Sequence, residues 1–284
     1  MKLINILSDT YFENKKVLEK LITFYTWLSK EQIFMDIEKE IDDEDFKKIK
    51  ASYDEYFFDK KPLEYIFWYV EFFSNKFKVN QHTLIPRPET EYMIQSINDF
   101  LKNSNKKYIL CDIWTWCWVL GLSTLLFNKD KITDAVMTDI TDESLEVARK
   151  NHQNLIKNKK IILLKTDLFS FEKEIEQKFE NKDILLVANL PYIPDGMFDT
   201  NVEDNVKKWE PKFAFVWWED WADLYRRMFD QIIEFKSKHW WNFTMFLEML
   251  DSQANMLADE YKGKFEFEKV ATFHFNIKIL KAIY

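Results

Sequence analysis

Four polar residues stand where apolar runs of the chain end, and they are the first candidates for chemistry. Asp112, Asp139 and Asp167 lie at or near the ends of three such runs, and Asn189 lies near the end of a fourth, DILLVANLPYI. Parallel strands present their carboxyl ends at one edge of a sheet, where ligands bind. The spacing therefore predicts a ligand site near these four residues.

The turn after the first of these runs has an unusual composition. Residues 112–118, DIWTWCW, carry Trp114, Trp116 and Trp118 at alternate positions. A nucleotide-binding turn between a strand and a helix usually needs Gly at such positions, because φ must be positive or the backbone must approach the ligand without a Cβ. An aromatic core or a base-stacking platform is the alternative interpretation of the three indoles.

The elements that must position these residues alternate along the middle of the chain. Apolar runs at 108–113, 135–140, 161–169 and 183–193 predict strands, and helices are predicted after the first run, to about Asn128, and after the second, from about Asp142 to Lys157. Strands that alternate with helices predict parallel βαβ units in an α/β fold. A helix, a strand and a closing antiparallel pair are predicted further on, in ADLYRRMFDQIIEF, NFTMFLEML, and FEFEKVATF with HFNIKILKAIY.

The region before these elements has a different periodicity. Apolar residues that recur every three or four positions predict a small helical domain, assigned to residues 1–64. YVEFF and KFKVN, separated by Ser74-Asn75, predict a hairpin within a linker over 65–84. Residues 85–284 are assigned to the α/β domain.

Composition limits the class of protein. Of the 284 residues 47% are apolar, which allows a sizeable core and excludes disorder, collagen and coiled coil. A net charge of −8 argues against a protein whose affinity depends on neutralising phosphates. The start MKLINILSDT lacks the apolar core of a signal peptide, and no run reaches the ~18 apolar residues of a membrane span, so we expect a cytoplasmic protein.

The cysteines and histidines do not predict a metal site. Cys111 and Cys117 lie six residues apart without Cys or His companions at metal spacing. They are therefore predicted to be buried thiols and not a disulfide or a zinc site. The four His are dispersed along the chain, and we expect no metal.

Several motifs together resemble those of the release-factor glutamine N(5)-methyltransferase family, from about residue 60 to the end. PLEYIFW is similar to PL.Y..G, TLIPRPETE to LIPRPxTE, DIWTWCW to the DxGTGSG loop, TDI to the ribose-binding acid after the second strand, KTDLF to S/T-D-x-F, and ANLPYI to NPPYI. EPKFAFVWWEDWADLYRRM is similar to EPxxALxGGxDGLDxYRxI, and HWWNFTMFLEM to GGxLxLEI. The resemblance implies a class I S-adenosylmethionine-dependent methyltransferase domain with a Rossmann-like fold, preceded by a small helical domain.

Most of the Trp residues stand where this family has Gly. The chain has 11 Trp and only 3 Gly. The nine matched positions are Trp68, Trp114, Trp116, Trp118, Trp217, Trp218, Trp221, Trp240 and Trp241. Chance would not choose one replacement nine times, so we hypothesise that the gene encodes Gly with UGA and that the printed sequence reads UGA as Trp. Trp27 is a candidate tenth position, and Trp209 stands where the family often has an aromatic residue.

The resemblance implies a cofactor site for S-adenosylmethionine. Asp139 would accept hydrogen bonds from the ribose hydroxyls, and Asp167 with Leu168 would bracket the adenine. Asp112 could also cap the next helix, and Asp167 could be part of a surface turn. The residues assigned to the cofactor are Asp112, Trp114, Thr115, Trp116, Cys117, Trp118, Asp139, Asp167, Leu168 and Asn189.

The segment Asn189, Leu190, Pro191 and Tyr192 is assigned to catalysis by the same resemblance. An amide nitrogen is a poor nucleophile because its lone pair is delocalised. The Asn189 side-chain carbonyl and the Leu190 backbone carbonyl would accept both N–H groups of the substrate amide, and Tyr192 would pack on its flat face. Leu190 departs from the family's Pro, which adds an N–H and loosens φ.

The resemblance also implies the substrate, a glutamine in the GGQ loop of peptide chain release factors, with the helical domain docking the factor. Arg87, Thr90 and Glu91 would shape the site together with Asn189 and Tyr192, although Arg87 could form a plain surface ion pair. We expect no membrane and no direct nucleic-acid partner. Two alternatives stay open: an amino-methyltransferase acting on adenine in ribosomal RNA or DNA, where NLPY also occurs, and a non-enzymatic binding protein, which the printed Trp residues would favour.

Overall fold

Two compact units, Met1–Trp68 and Tyr69–Tyr284, make up the chain. Each unit has its own cluster of buried apolar side chains. The computed structural model describes residues 1–156, 161–176, 179, 183–216, 222–272 and 277–284.

Helices build the first unit, as the apolar periodicity predicts. They are α1 (Leu3–Ser8), α2 (Lys15–Thr26), α3 (Lys30–Met35), α4 (Asp43–Phe57) and α5 (Leu63–Phe67). The Asn14 side chain begins α2 by accepting a hydrogen bond from the Val17 N–H, and Ser29 and Gln32 form a capping box at α3. Leu21 of α2 is fully buried in the core of this unit.

A hairpin opens the second unit. Strands β1 (Tyr69–Phe72) and β2 (Asn75–Lys78) pair antiparallel. The two turn residues between them, Phe73 and Ser74, have φ of 44° and 61°. Positive φ at both central residues is the type I′ geometry that matches the twist of the strands. The predicted hairpin is therefore present, with its turn one residue earlier than the sequence pattern placed it.

The main sheet confirms the predicted α/β fold. Its strands are β3 (Tyr108–Ile113), β4 (Ile132–Asp139), β5 (Ile162–Lys165), β6 (Asp183–Ala188), β7 (Asn242–Leu250), β8 (Glu266–Thr272) and β9 (Ile277–Ile283). Their order is β5-β4-β3-β6-β7-β9-β8. The first five strands in this order are parallel, and β9 pairs antiparallel with both β7 and β8. This arrangement is the predicted parallel sheet with its closing antiparallel pair.

Helices connect these strands. They are α6 (Glu91–Asn103), α7 (Val119–Phe127), α8 (Asp142–Leu155), α9 (Glu172–Glu176), α10 (Asp195–Asn201), α11 (Asp204–Trp209), α12 (Asp223–Lys238) and α13 (Asp251–Glu260), with 3₁₀ turns at Pro88–Thr90 and Lys212–Ala214. The sequence pattern predicted α7, α8 and α12. The short helices α9 to α11, and α13, were not predicted. Within the described part of the chain, no helix combines the length and the apolar character that crossing a membrane requires.

Two strands end earlier than the apolar runs suggest. β5 stops at Lys165, the Thr166 N–H still donates to the Asp139 carbonyl of β4 at 3.0 Å, and Asp167 lies in the loop that follows. β6 stops at Ala188, and the chain after it leaves the sheet until Ile193 forms an isolated bridge with Val216. Both differences place candidate site residues in loops at the carboxyl ends of strands, where side chains can reach a ligand.

Both cysteines are buried free thiols, as predicted. Burial raises the pKa of Cys117 to about 12 and raises that of Cys111 even further. The two thiols therefore stay protonated and unreactive at neutral pH. Among the residues that the structure describes, no group of three or more His, Cys, Asp or Glu is placed to hold a metal ion.

Candidate functional site

The carboxyl ends of three neighbouring strands bring the candidate site together. β3 lies between β4 and β6, so the loop after Asp112 adjoins both Asp139 at the end of β4 and Asn189 after β6. The Trp116 N–H donates to Asp139 Oδ2 at 3.1 Å, and the Trp116 indole N–H donates to the Asn189 backbone carbonyl at 3.3 Å. The strand order thus unites three positions that the sequence analysis assigned to one site.

Asp112, at the end of β3, accepts hydrogen bonds from the loop that follows it and from α7. Its Oδ2 accepts hydrogen bonds from the Thr115 hydroxyl at 2.5 Å and from the Gly121 N–H at 2.8 Å. Its Oδ1 is buried with no hydrogen-bond partner among the described residues. Burial raises the pKa of Asp112 to about 7, although both hydrogen bonds act against that rise. One oxygen therefore holds the loop to α7, and the other is a buried acceptor at the proposed cofactor position.

The three Trp side chains of the loop occupy the space that a ligand would need. Trp114, Trp116 and Trp118 are buried, with φ of 58°, 53° and 72°. Trp114 stacks on Trp116 with a centroid distance of 6.0 Å, and Trp116 stacks on Phe213 at 5.6 Å. The cavity left beside the loop measures about 20 Å³. A cavity of that size holds about one water molecule, so S-adenosylmethionine does not fit the printed side chains.

Cys117 and the end of the loop are tied to a neighbouring helix. The Asn151 side chain on α8 donates to the Cys117 carbonyl and to the Lys78 carbonyl, both at 2.9 Å. Asn151 Oδ1 accepts from the Lys78 N–H at 2.6 Å. A single amide therefore links the loop to the hairpin strand β2, a positioning contact that the sequence analysis did not predict.

Asp139 is fully buried at the end of β4. Its Oδ1 accepts from the Thr141 N–H and from the Thr141 hydroxyl, each at 3.0 Å, while Oδ2 accepts from Trp116. Burial raises the pKa of Asp139 to about 6, against the effect of these hydrogen bonds. Both carboxylate oxygens of Asp139, the residue assigned to the ribose, therefore accept hydrogen bonds from the protein.

Asp167 and Leu168 lie in the loop after β5 and differ in their surroundings. The Asp167 carboxylate is half exposed and forms an ion pair with Arg227 of α12. Leu168 is buried against the core, with φ of 51°. A non-Gly residue with positive φ carries strain, which often marks a functional position. Asp167 therefore pairs with Arg227 on α12, whereas Leu168 packs in the hydrophobic core.

Asn189, Tyr192 and Thr90 converge on one buried carboxylate. Asn189 Nδ2 donates to Glu248 Oε1 at 3.0 Å and to Thr90 Oγ1 at 3.5 Å. The Tyr192 hydroxyl donates to the same Oε1 at 3.4 Å. Burial of Tyr192 beside Glu248 raises its pKa well above the ordinary value. Three residues from two separate motifs, ANLPYI and TLIPRPETE, therefore meet at Glu248 on β7.

Glu248 was not among the predicted site residues. Burial raises its pKa to about 7, and hydrogen bonds from Thr90, Asn189 and Tyr192 act in the opposite direction. The sequence does contain a signal for it. The strand NFTMFLEML has one charged residue, near its carboxyl end, in a mainly apolar run. A carboxylate in such a strand is costly unless it is hydrogen-bonded, which suggests a role.

Leu190 and Pro191 complete this segment and are buried. The Leu190 N–H donates to the Tyr225 hydroxyl, and the Tyr225 hydroxyl donates to the Glu248 carbonyl. The family residue Pro would lack that N–H. The departure at Leu190 therefore adds a hydrogen bond from the catalytic segment to α12.

The segment that contains Arg87 is joined to a second missed acid. Arg87 Nη2 lies 2.7 Å from Glu210 Oε1, and Glu210 Oε2 accepts from the Ile85 N–H at 2.9 Å. Glu210 is buried, whereas Arg87 is about one third exposed. Arg87 thus forms an ion pair, which was one of its two predicted roles, but the partner is a buried acid and not a surface one.

The Glu91 carboxylate accepts a hydrogen bond from the hairpin turn. Its Oε1 accepts from the Phe73 N–H in the hairpin turn at 2.7 Å. The described contacts of Glu91 therefore lead to the hairpin and not to Asn189 or Tyr192. Thr90, its neighbour, is the residue of this pair that the structure brings to Asn189.

Trp217, Trp218 and Trp221, in the motif that follows Glu210, lie outside the described residues.

Comparisons with known proteins identify relatives of this chain. The chain is 30% identical to the release factor glutamine methyltransferase of Clostridium acetobutylicum over 234 residues, which are 80% of this chain and 77% of that protein. It is 33% identical to the protein of the same name from Mycoplasma mycoides over 217 residues, 73% and 72% of the two chains. For a Bacillus anthracis relative with this name, identity is 33% and the match spans 58% of its length. No family model matches the chain.

Solved structures show the fold. The catalytic domain of human METTL16 in complex with an RNA hairpin superposes with a TM-score of 0.55 at 12% identity, covering 94% of this chain and 89% of that one. The N-terminal domain of human METTL16 in complex with SAH gives 0.50 at 12% identity, with 97% and 96% covered. The chain therefore has the fold of class I methyltransferase domains.

Proposed function

The chain belongs to the release factor glutamine methyltransferase family, and on that premise we propose that it methylates the side-chain amide of a glutamine in peptide chain release factors, most specifically the glutamine of the GGQ loop. The methyl donor is S-adenosylmethionine, which supplies a methyl group on a cationic sulfur. The observation that supports this function most directly is the pairing of β3 with β6, because the loop assigned to the cofactor follows β3 and the segment assigned to the substrate amide follows β6.

Asn189 and its neighbours are proposed to hold the substrate amide. The Asn189 side-chain carbonyl and the Leu190 backbone carbonyl accept the two N–H groups of the glutamine amide, which directs its lone pair towards the methyl donor. Tyr192 packs on the flat amide, and Pro191 shapes the turn that presents these groups. Catalysis of this kind depends on orientation and electrostatics more than on a general base.

We also propose that the natural protein carries Gly at the nine matched Trp positions. Support comes from the backbone: five Trp residues have positive φ, namely Trp27, Trp68, Trp114, Trp116 and Trp118. That conformation costs a non-Gly residue roughly 1–2 kcal/mol, and Gly adopts it readily. Trp27 and Trp68 occupy it directly after α2 and α5, where helices commonly end with Gly.

The remaining described Trp residues behave differently. Trp209 ends α11 and is not among the residues with positive φ, in line with its position where the family often has an aromatic residue. Trp240 and Trp241 are likewise not among them. We therefore propose Trp27, which has positive φ, as a tenth Gly and Trp209 as a true Trp, while Trp240 and Trp241 are assigned to Gly from the sequence match alone.

Mass spectrometry of the protein from its natural host tests the identity of these residues. We expect the peptide over 112–118 to contain three Gly and no indole. A peptide with Trp114, Trp116 and Trp118 intact would contradict the proposal.

Methyl transfer tests the function. The Gly-containing chain is incubated with labelled S-adenosylmethionine and either a release factor or ribosomal RNA, and the labelled product is identified. We expect label on the glutamine of the release factor. The chain with its printed Trp residues is the matched control, and we expect it to bind S-adenosylmethionine orders of magnitude more weakly, since each indole adds over ~150 Å² of side chain to the loop. Label in the RNA alone would contradict the proposed substrate.

Location and partners are proposed on the same basis. The enzyme acts in the cytoplasm, residues 1–64 dock the release factor, and no nucleic acid is bound directly. The net charge of −8 supports the last point, because nucleic-acid affinity depends on cationic contacts with phosphate.

A further inference from the structure

Glu248 is a buried acid whose described partners are hydrogen-bond donors. It lies near the end of β7 with a relative exposure of 1%. Its Oε1 accepts from Asn189 and Tyr192, and a further hydrogen bond comes from Thr90. Its Oε2 is buried with no hydrogen-bond partner among the described residues. Burying a carboxylate costs several kcal/mol unless its surroundings compensate. A fold that retains such a group next to Asn189 points to a role for its charge.

The chemistry of the two groups determines how the Asn189 amide is turned. An ionised carboxylate is only an acceptor, so it can pair with Nδ2 of an Asn and never with Oδ1. Asn189 Nδ2 donates to Glu248 and to Thr90, whose hydroxyl in turn donates to the carboxylate. With Nδ2 held on this side, Oδ1 of Asn189 must face the other way. An Asn without such a partner could present either end of its amide.

Glu248 is also linked to the residue after Asn189. Its backbone carbonyl accepts from the Tyr225 hydroxyl, which itself accepts from the Leu190 N–H. One strand residue is therefore connected to Asn189 through its side chain and to Leu190 through its backbone. Those two residues carry the two carbonyl groups assigned to the substrate amide.

We propose that Glu248 is a positioning residue for methyl transfer: its carboxylate holds the Asn189 amide so that Oδ1, and not Nδ2, faces the substrate nitrogen. This inference rests on the proposed glutamine methylation. A wrongly turned Asn189 would present a donor to a substrate N–H group, and both the hydrogen bond and the orientation of the lone pair would be lost.

Protonation of Glu248 would weaken this arrangement. Burial raises its pKa to about 7, with Glu89 adding to the rise and the three hydrogen-bond donors opposing it. Tyr192 and Tyr225 are held neutral by burial, and Arg87 acts on Tyr192 as the nearby cation. The protonated acid gains an O–H that can donate to Asn189 Oδ1, which allows the amide to turn over. The transfer rate should therefore fall as pH decreases through about 7.

The variant Glu248→Gln tests the proposal in the Gly-containing enzyme. It keeps the shape of the side chain and removes the charge. We expect kcat to fall about 10- to 100-fold, with less than a threefold change in the dissociation constant for S-adenosylmethionine, because the loop is untouched. The remaining activity should lose its dependence on pH near 7. The matched control is Glu268→Gln on the edge strand β8, whose acid is 64% exposed and pairs with Lys281. It should leave kcat and the pH profile unchanged.

A second measurement does not depend on turnover. In ¹⁵N NMR spectra the side-chain amide signal of Asn189, assigned through Asn189→Asp, should shift with a midpoint near pH 7 in the parent enzyme and stay constant in Glu248→Gln. A signal that does not titrate in the parent enzyme, or a Glu248→Gln enzyme with parental kcat and pH profile, would overturn the proposal. A parent enzyme that methylates no glutamine while the Asn189 signal still titrates would overturn the proposed function and would support the pairing of Asn189 with Glu248.

Discussion

At the scale of single residues, buried acids dominate the site. Asp112, Asp139 and Glu248 all have pKa values raised by burial, to about 7, about 6 and about 7. An acid with a raised pKa binds its proton more tightly in the folded chain than in the unfolded one. Between the unfolded and the folded pKa, the free energy of unfolding therefore decreases as pH rises. The site costs stability at neutral pH, which is common where acids are placed for binding.

The substitution Asp112→Asn should recover part of this stability in the chain with its printed residues. Its carbonyl oxygen can keep the hydrogen bonds from Thr115 and Gly121 while the buried charge is removed. We expect the free energy of unfolding at about pH 8 to rise by roughly 1–3 kcal/mol, and the gain to vanish by about pH 4, where the folded-state acid is already neutral. Urea unfolding at the two pH values measures the effect.

A surface acid provides the control for that experiment. Asp204→Asn on α11 changes a fully exposed side chain that pairs only with Lys207 among the described residues. The free energy of unfolding of Asp204→Asn should differ from that of the parent by less than about 0.5 kcal/mol at either pH. Equal stability of Asp112→Asn and the parent at high pH would contradict the raised pKa of Asp112.

At the scale of elements, the close approach of α7 to the sheet depends on Gly121. A Cβ at this position would lie 2.7 Å from Asp112 Oδ2 and 2.7 Å from Met137 Cε. Both atoms belong to strands that carry the site, β3 and β4. The Gly therefore allows the helix to approach the Asp112 carboxylate closely enough for its own N–H to donate to it.

Gly121→Ala should consequently destabilise the fold. We expect a loss of roughly 1–3 kcal/mol in urea unfolding, because the methionine and the carboxylate must both move. Gly196→Ala is the matched control: no atom lies within 4 Å of its added Cβ, and it sits in α10. There the change should stay within about 1 kcal/mol and can be favourable, since Ala is the better helix former. Similar losses of stability for Gly121→Ala and Gly196→Ala would show that α7 does not need Gly at position 121.

At the scale of the whole molecule, the chain consists of two units with separate cores. The core of Met1–Trp68 is assembled from its own helices, with Leu18, Leu21 and Ile22 fully buried. Helical units with local contacts fold without long loop closures. The first unit therefore contains what an independent domain requires.

The fragment 1–68 should fold by itself. We expect helical far-UV circular dichroism and a cooperative thermal transition. The variant Leu18→Ala in the same fragment should lower the midpoint, since it removes a fully buried side chain at a cost of about 2–5 kcal/mol. A fragment that shows no cooperative transition would mean that this unit needs the rest of the chain.

Much of the fold follows from local patterns. Strands β3 and β6 begin at the predicted residues, and α7, α8 and α12 lie where periodicity placed them. A fully buried parallel strand is an apolar run, and that pattern is visible without any partner. The short helices α9 to α11 could not be predicted because five to seven residues carry too little periodicity to separate them from loops.

The polar contacts of the site join residues that are far apart in the sequence, so local patterns do not predict them. Asn189 meets Glu248 across 59 residues of sequence, and Arg87 meets Glu210 across 123. The first pair arises from the strand order, in which β6 lies next to β7 although α10, α11 and α12 separate them along the chain, and the second joins two loops. A motif search finds Asn189 and Arg87 but has no means of naming their partners.

The sequence by itself determined the order of strands and helices, the loop after β3, and the mismatch between 11 Trp and 3 Gly. These are properties of residues close together along the chain, where backbone preference and apolar periodicity act. Only the tertiary structure decided which acids are buried, which way the Asn189 amide is turned, and that Trp27, Trp68 and the loop Trp residues have positive φ. Burial and hydrogen-bond partners depend on distances between strands, and those distances exist only once the sheet has formed.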